Sequence, residues 1–280
     1  MGRIYPGLAA VALAVGLTNC GSAAAPDAGA AVDDGVVGAS ADLGTADLLA
    51  AGGGPCAAGM ALVTSADGGV RVCVDRFEAA TIEVAPDGGS APHPYDQPVD
   101  GVAIGSTIVA VVADGIKPQG YISQTQAALA CSHAGKRLCR LSEWLTACQG
   151  PDGSTYPYGN SYQPGACNEG RATNPVNDCF GPGNVFTYAN MNASCCDDQP
   201  NTVAAGGSFS RCRSSFGIFD LHGNLHEWVE ATTASGNGIF KGGFFVDAKL
   251  NGAGCLYATT AHAKSYHDYS TGFRCCADPR

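Results

Sequence analysis

Apolar residues in this chain fall in short clusters separated by Gly, Pro, Asp and Ser, without a long stripe of helical period. Cys56–Val63 and Val70–Phe77 read as two short strands around the turn Ser65-Ala66-Asp67-Gly68-Gly69. Residues 86–101 are rich in Pro, Gly and Asp and predict loop. Ile104–Val112 has strand composition. Ser123 is an N-cap candidate with Gln126 as its capping-box partner, so a helix is expected to run to about His133 and stop at Gly135. A second helix is expected from Ser142, as N-cap, to near Gly150. From 151 to 216 the chain is mostly Gly, Pro, Asn, Ser and Cys, which predicts irregular backbone held by cross-links. Trp144, Trp228, Phe216, Phe219, Phe244 and Phe245 are core candidates.

Composition sharpens this picture. Charged residues make up only 14% of the 280 residues, and Gly numbers 39, a balance that favours a loop-rich fold over a helical bundle. The net charge of −10 argues against nucleic acid, whose phosphates need clustered Lys and Arg. Fourteen cysteines, none in a Cys-x-x-Cys pair, point to disulfides in an oxidising compartment and away from a zinc ribbon. Cys56 and Cys73 could close the first hairpin.

Residues 1–20 have the plan of a secretory signal, with Arg3 ahead of an apolar Ile4–Leu17. Leu17-Thr18-Asn19-Cys20 resembles a bacterial lipobox, which makes Cys20 the candidate lipidation site. The rival is ordinary cleavage near Ala23-Ala24-Ala25. Residues 21–54 are rich in Ala, Gly and Asp, with no Lys or Arg, and read as a disordered acidic linker. The folded domain is expected over 55–280, touching a membrane only through the lipid anchor.

One stretch carries candidate chemistry: Asp220-Leu221-His222-Gly223-Asn224-Leu225-His226-Glu227-Trp228. Gly223-Asn224 is a turn pair, and a turn there can aim Asp220, the turn carbonyls and Glu227 at one point. Clustered hard oxygens of this kind suit Ca²⁺. The alternative is a solvated loop with two ordinary acids. His222 and His226 are four apart, but the turn between them argues against a helical zinc pair.

The same stretch resembles the D/N-x-x-G-N-x-x-E-W signature of the formylglycine-generating enzyme family, or sulfatase-modifying-factor domains. Other stretches agree in order: Arg71–Glu78, Ala134–Leu138 leading to Ser142-Glu143-Trp144, Tyr156–Asn160, Lys241-Gly242-Gly243 and Gly272-Phe273-Arg274-Cys275. The resemblance covers residues 55–280. It implies a single α+β domain, loop-rich, C-type-lectin-like and stapled by disulfides. It implies the pairs Cys131–Cys275 and Cys148–Cys255, and structural calcium held by Asp220, Gly223, Leu225 and Glu227. A second calcium site would start at Asn168, with Asp178 and Phe180 as later ligands. Cys139 with Cys276 and Cys167 with Cys212 are further candidate pairs; Cys179 could take Cys195 or Cys196. With Cys20 lipidated, an odd number of the 14 cysteines remains.

Members of the family that oxidise a substrate cysteine use two cysteines of their own to bind Cu(I), a soft ion suited by thiolates. Counted from Gly242-Gly243, the first position holds Asp247 and the second falls near Asn251 or Gly252. Copper is therefore not expected. The expectation is a monomeric, non-catalytic binding or surface module for an unknown protein, peptide or small-molecule ligand. The alternative is an oxidoreductase acting on protein cysteine, of the family type or through other metal ligands. Tyr266, Asp268 and Tyr269 are candidates to line a ligand groove.

Overall fold

The expected first hairpin is β1 (Met60–Thr64) against β2 (Arg71–Asp75), antiparallel with Leu62 opposite Cys73. This computed structural model describes residues 54–183 and 185–280, so the expected signal, Cys20 and almost all of the expected linker lie outside the described residues. Among the described residues no helix is long and apolar enough to cross a membrane. β3 (Ala80–Val84), β4 (Ser90–Pro92) and β5 (Thr107–Val111) form a separate antiparallel sheet in the order β4-β3-β5. β4 lies in the segment whose Pro and Gly content predicted loop. It is short, exposed and at a sheet edge, where proline is tolerated.

α1 (Gln124–His133) starts at Ser123 with both bonds of the capping box, as the sequence suggests, and Gly135 follows it in the left-handed region at φ 69°. α2 (Leu141–Gln149) starts two residues earlier than Ser142 as N-cap implied. Arg140 is the N-cap residue, because the Glu143 carboxylate accepts its backbone N–H at 2.8 Å. Between the helices runs β6 (Arg137–Leu138). The 151–216 region is irregular apart from α3 (Pro175–Phe180), α4 (Tyr188–Met191) and a 3₁₀ turn at Ser194–Cys196. Asn174 and Thr187 cap the two short helices with their side chains.

The chain then returns through β7 (His226–Thr232), β8 (Gly238–Lys241), β9 (Ala258–Thr259), β10 (Thr271–Phe273) and β11 (Cys275–Ala277). One sheet runs β10-β7-β8-β9, with β10 parallel to β7. The other runs β1-β2-β11-β6, so the C-terminal strand zips the first hairpin to β6. Trp144 packs between these layers with Val63, Val74, Leu221 and Val229. Trp228 packs on the other side with Ile122, Ala127, Phe240 and Phe273.

Six disulfides staple the described residues: Cys56–Cys73, Cys131–Cys275, Cys139–Cys276, Cys148–Cys255, Cys167–Cys212 and Cys179–Cys195. Three of them close loops of more than 100 residues. Each such closure is worth roughly 4–5 kcal/mol in the chain-entropy picture. That offsets the scarcity of regular hydrogen-bonded ladder.

Candidate functional site

The Gly223-Asn224 turn is built on left-handed backbone: φ is 62° at Asp220, 80° at Gly223 and 57° at Asn224. Gly223 is required here, since a Cβ would lie 2.2 Å from the Asn168 carbonyl oxygen. Asn224 ties three segments together. Its amide nitrogen donates to Glu78 and to the Ala204 carbonyl, while its amide oxygen accepts from Ala204 N and Asn168 Nδ2 at 2.9 and 2.8 Å. Glu78 in turn accepts the Leu225 N–H at 3.0 Å.

Glu227 lies beyond the turn, fully buried, and its partner is a guanidinium. Arg274 Nε and Nη2 grip its two oxygens at 2.6 Å each, and the Trp144 indole N–H adds a bond of 2.8 Å. Arg274 also donates to the Phe219 and Asp75 carbonyls at 2.9 and 3.1 Å. Asp220 accepts the Gly207 N–H at 2.9 Å. Burial pushes the Asp220 carboxyl up to about 6 and that of Glu78 well above its usual range. These are the residues of the calcium expectation at this loop. Asp220, Gly223, Leu225 and Glu227 do share one loop, but both Glu227 oxygens already face N–H donors, and the local cation is Arg274.

Asn168 sits within the Asn224 network, its amide donating to Thr202 O at 2.8 Å. Asp178 does not join it; it pairs with Arg171 at 2.7 Å on a partly exposed flank. The acid near Asn168 that the sequence reading missed is Asp197. Thr202 bridges the two, donating its hydroxyl to the Asp197 carbonyl at 2.6 Å. The Asp197 side chain is 1% exposed and neither of its oxygens has a hydrogen-bond partner. Burial, Asp268 and Asp96 push that carboxyl well above its usual range.

At the positions where catalytic thiols are implied, the structure has a relay of oxygen and nitrogen. Gly242 and Gly243 turn the chain sharply at φ 85° and 76°, and a Cβ on Gly243 would lie 2.3 Å from Ala248 Cα. Asp247 Oδ1 accepts the N–H groups of Lys249 and Leu250 at 2.9 and 3.1 Å. Its other oxygen accepts the Tyr257 hydroxyl at 3.1 Å, and Asn251 donates to that hydroxyl at 3.3 Å. Tyr257 meets His226 Nε2 at 3.2 Å, His226 Nδ1 meets Ser270 Oγ at 3.2 Å, and Ser270 donates to Asp268 at 2.7 Å. Burial, reinforced by His262, lowers the His226 pKa to about 3, so the ring is neutral at pH 7. Cys255 is nearby in sequence, but its sulfur is bonded to Cys148.

Residues 94–279, two thirds of the chain, match the sulfatase-modifying factor enzyme 1-like domain. The chain belongs to that family. A Bos taurus protein named inactive C-alpha-formylglycine-generating enzyme 2 is 25% identical over 167 residues, which is 57% of this chain and 50% of the relative. The formylglycine-generating enzyme of Thermomonospora curvata is 30% identical over 191 residues, 58% of this chain and 56% of the relative. The chain thus spans about half the length of the curated relatives it matches. Among solved structures, CarF overlays with a TM-score of 0.44 at 16% identity, over 78% of this chain and 93% of that one. The Major Tropism Determinant U1 variant overlays at 0.42 and 16%, over 81% and 54%.

In this sulfatase-modifying-factor-type domain the remaining candidates divide clearly. Cys196 is the free cysteine among the described residues; it is buried, and its sulfur lies within 4.8 Å of those of Cys179 and Cys195. Burial first, then Asp197 and Asp268, push its thiol up to about 12. Asp268 and Tyr269 were expected at a groove but are 6% and 4% exposed, so they belong to the interior network. His222 is also fully buried.

Proposed function

We propose that this chain is a non-catalytic binding module of the sulfatase-modifying-factor type, exported and stapled by disulfides. The observation that carries the reading is Asp247. A hard carboxylate, committed to the Lys249 and Leu250 N–H groups and to Tyr257, stands where a soft thiolate is required for Cu(I). The name of the bovine relative, which calls that protein inactive, lends support. Six disulfides in the described residues support export to an oxidising compartment, with lipidation at Cys20 as the proposed anchor and the domain a monomer. The ligand is a protein, peptide or small molecule.

Structural calcium belongs to the same proposal, and Asp197 is the carboxylate left free for it in the irregular segment that follows Asn168. An unpaired buried carboxylate is what a hard cation would neutralise, and the ion would tie down the irregular 168–202 region. The second reading, a metal-dependent oxidase, rests on the Cys179, Cys195 and Cys196 sulfurs, which could bind a soft ion once reduced.

The test is metal content and free-thiol count on purified protein, before and after mild reduction, alongside turnover of a cysteine-containing sulfatase peptide under O₂. Calcium without copper, and no formylglycine, is the expected result. Stoichiometric copper with peptide oxidation would overturn the reading. Asp197→Asn should abolish any fall in Tm caused by chelator, whereas Glu227→Gln should leave that response in place. Palmitate labelling that Cys20→Ser abolishes would support the anchor.

A further inference from the structure

A group of side chains outside the relay has the makings of a recognition site. Tyr156 and Tyr158 stack with ring centroids 5.4 Å apart, and Tyr162 tilts against Tyr156 at 5.9 Å. His222 sets its edge on Tyr156 at 5.4 Å and 79°. Beside these rings lies Glu169, whose side chain is only 2% exposed. Its Oε2 is 3.5 Å from His222 Nε2, and neither Glu169 oxygen has a well-formed hydrogen bond. His222 likewise leaves both ring nitrogens without a bonded partner. The site therefore presents the Tyr162 face and a desolvated carboxylate, both complementary to a cation, backed by the packed Tyr156, Tyr158 and His222 rings.

The chain itself shows what fits. Lys249 places its ammonium 3.7 Å from the Tyr162 ring centroid and 3.6 Å from Glu169 Oε2, while its side chain stays 49% exposed. Its backbone is held independently, by the bond from Lys249 N to Asp247. The ammonium thus visits the site from a fixed tether, through contacts of the half-exposed kind that are individually weak. Burial raises the Glu169 carboxyl, but His222, Tyr162 and Lys249 together bring it below its usual range, so it is charged at pH 7.

We propose that Tyr162 and Glu169, held in place by Tyr156, Tyr158 and His222, form a site for a primary alkylammonium group of a ligand, which Lys249 occupies in the free protein. The class of ligand is a lysine side chain or a comparable amine. Lys249 is a built-in competitor: a tethered ammonium acts at a high effective concentration and must be displaced. The acidic balance of the chain, net −10, draws cationic ligands to it. This inference stands apart from the copper and calcium questions, so its failure leaves the binding-module reading in place.

The experiment is a titration of the oxidised full-length protein with Nα-acetyl-lysine amide, followed by NMR shifts of the tyrosine and His222 rings. Nα-acetyl-norleucine amide serves as the uncharged control. Lys249→Ala should bind the lysine probe roughly tenfold more tightly than wild type, the order expected when one ion pair and one cation–π contact no longer compete. The norleucine probe should not bind. Lys249→Ala/Glu169→Gln should lose the binding, and Lys249→Ala/Tyr162→Ala, which alters a half-exposed ring, gives the same reading should the glutamate variant fail to fold. Equal affinity for wild type and Lys249→Ala would overturn the proposal. So would no binding to Lys249→Ala, equal binding of the norleucine probe, or binding that survives both double variants.

Discussion

Replacing Arg274 by Met removes the cation around which the core acids are arranged. Arg274 is 0% exposed and makes two 2.6 Å bonds to Glu227, with further bonds to the Phe219 and Asp75 carbonyls. Methionine refills most of the stem, so the loss is chiefly electrostatic. A charge pair at this separation is worth on the order of 4 kcal/mol at the effective dielectric of partly relaxed protein sites. Each orphaned carbonyl adds about 1 kcal/mol. The expected cost of Arg274→Met is therefore about 6 kcal/mol, slightly above the roughly 3–5 kcal/mol typical of breaking a buried pair from one side. The assay is urea unfolding with disulfides intact, followed by the fluorescence of Trp144 and Trp228. Glu227→Gln completes a double-mutant cycle, with an expected coupling of about 3 kcal/mol. The penalty should also depend on pH. Without Arg274, the carboxyls of Glu78 and Asp220, already raised by burial, lose the cation that lowers them, so the variant loses stability as pH rises above the unfolded carboxylate range. Its deficit should be smaller at pH 5 than at pH 8. A cost below about 1.5 kcal/mol, or single effects that simply add, would refute the reasoning.

The His226 ring, with its pKa lowered from 6.5 to about 3 by burial, should show no imidazole titration by NMR between pH 5 and 8. Because the unfolded ring takes up a proton first, its contribution is full above pH 6.5 and falls as pH drops, by roughly 2 kcal/mol at pH 5. The difference between wild type and His226→Gln over that range measures it, and a flat difference contradicts the burial argument. Asn224→Ala orphans Glu78, Asn168 and both Ala204 groups and puts Ala, which tolerates the left-handed region less well than Asn, at φ 57°, for a loss of about 3 kcal/mol in the same urea assay. Gly243→Ala, with its Cβ 2.3 Å from Ala248 Cα, should cost roughly 2–4 kcal/mol and loosen the Asp247 turn. In a Cys20→Ser background, Cys196 should resist thiol reagents in the native state and react fully in denaturant, since it is buried with its thiol raised to about 12.

What the sequence determined by itself is local or ordered along the chain. The Ser123 capping box, the β1–β2 hairpin and the Gly223-Asn224 turn follow from residues within a few positions of each other. The order of short motifs was enough to indicate the family, and Asp247 was legible as the residue at the first thiol position. The edge strand Ser90–Pro92 escaped because its partner, not its composition, makes it a strand. Tertiary structure alone decided the ownership of charge. Glu227 was legible as an acid beside a turn, but that its partner is Arg274, 47 residues on, depends on the parallel pairing of β10 with β7. The unpaired carboxylate of Asp197, the His226 relay and the placing of Lys249 against Tyr162 and Glu169 arise in the same way. Each joins residues from separate loops, and only the folded chain fixes which polar groups leave water together and which partners they find there.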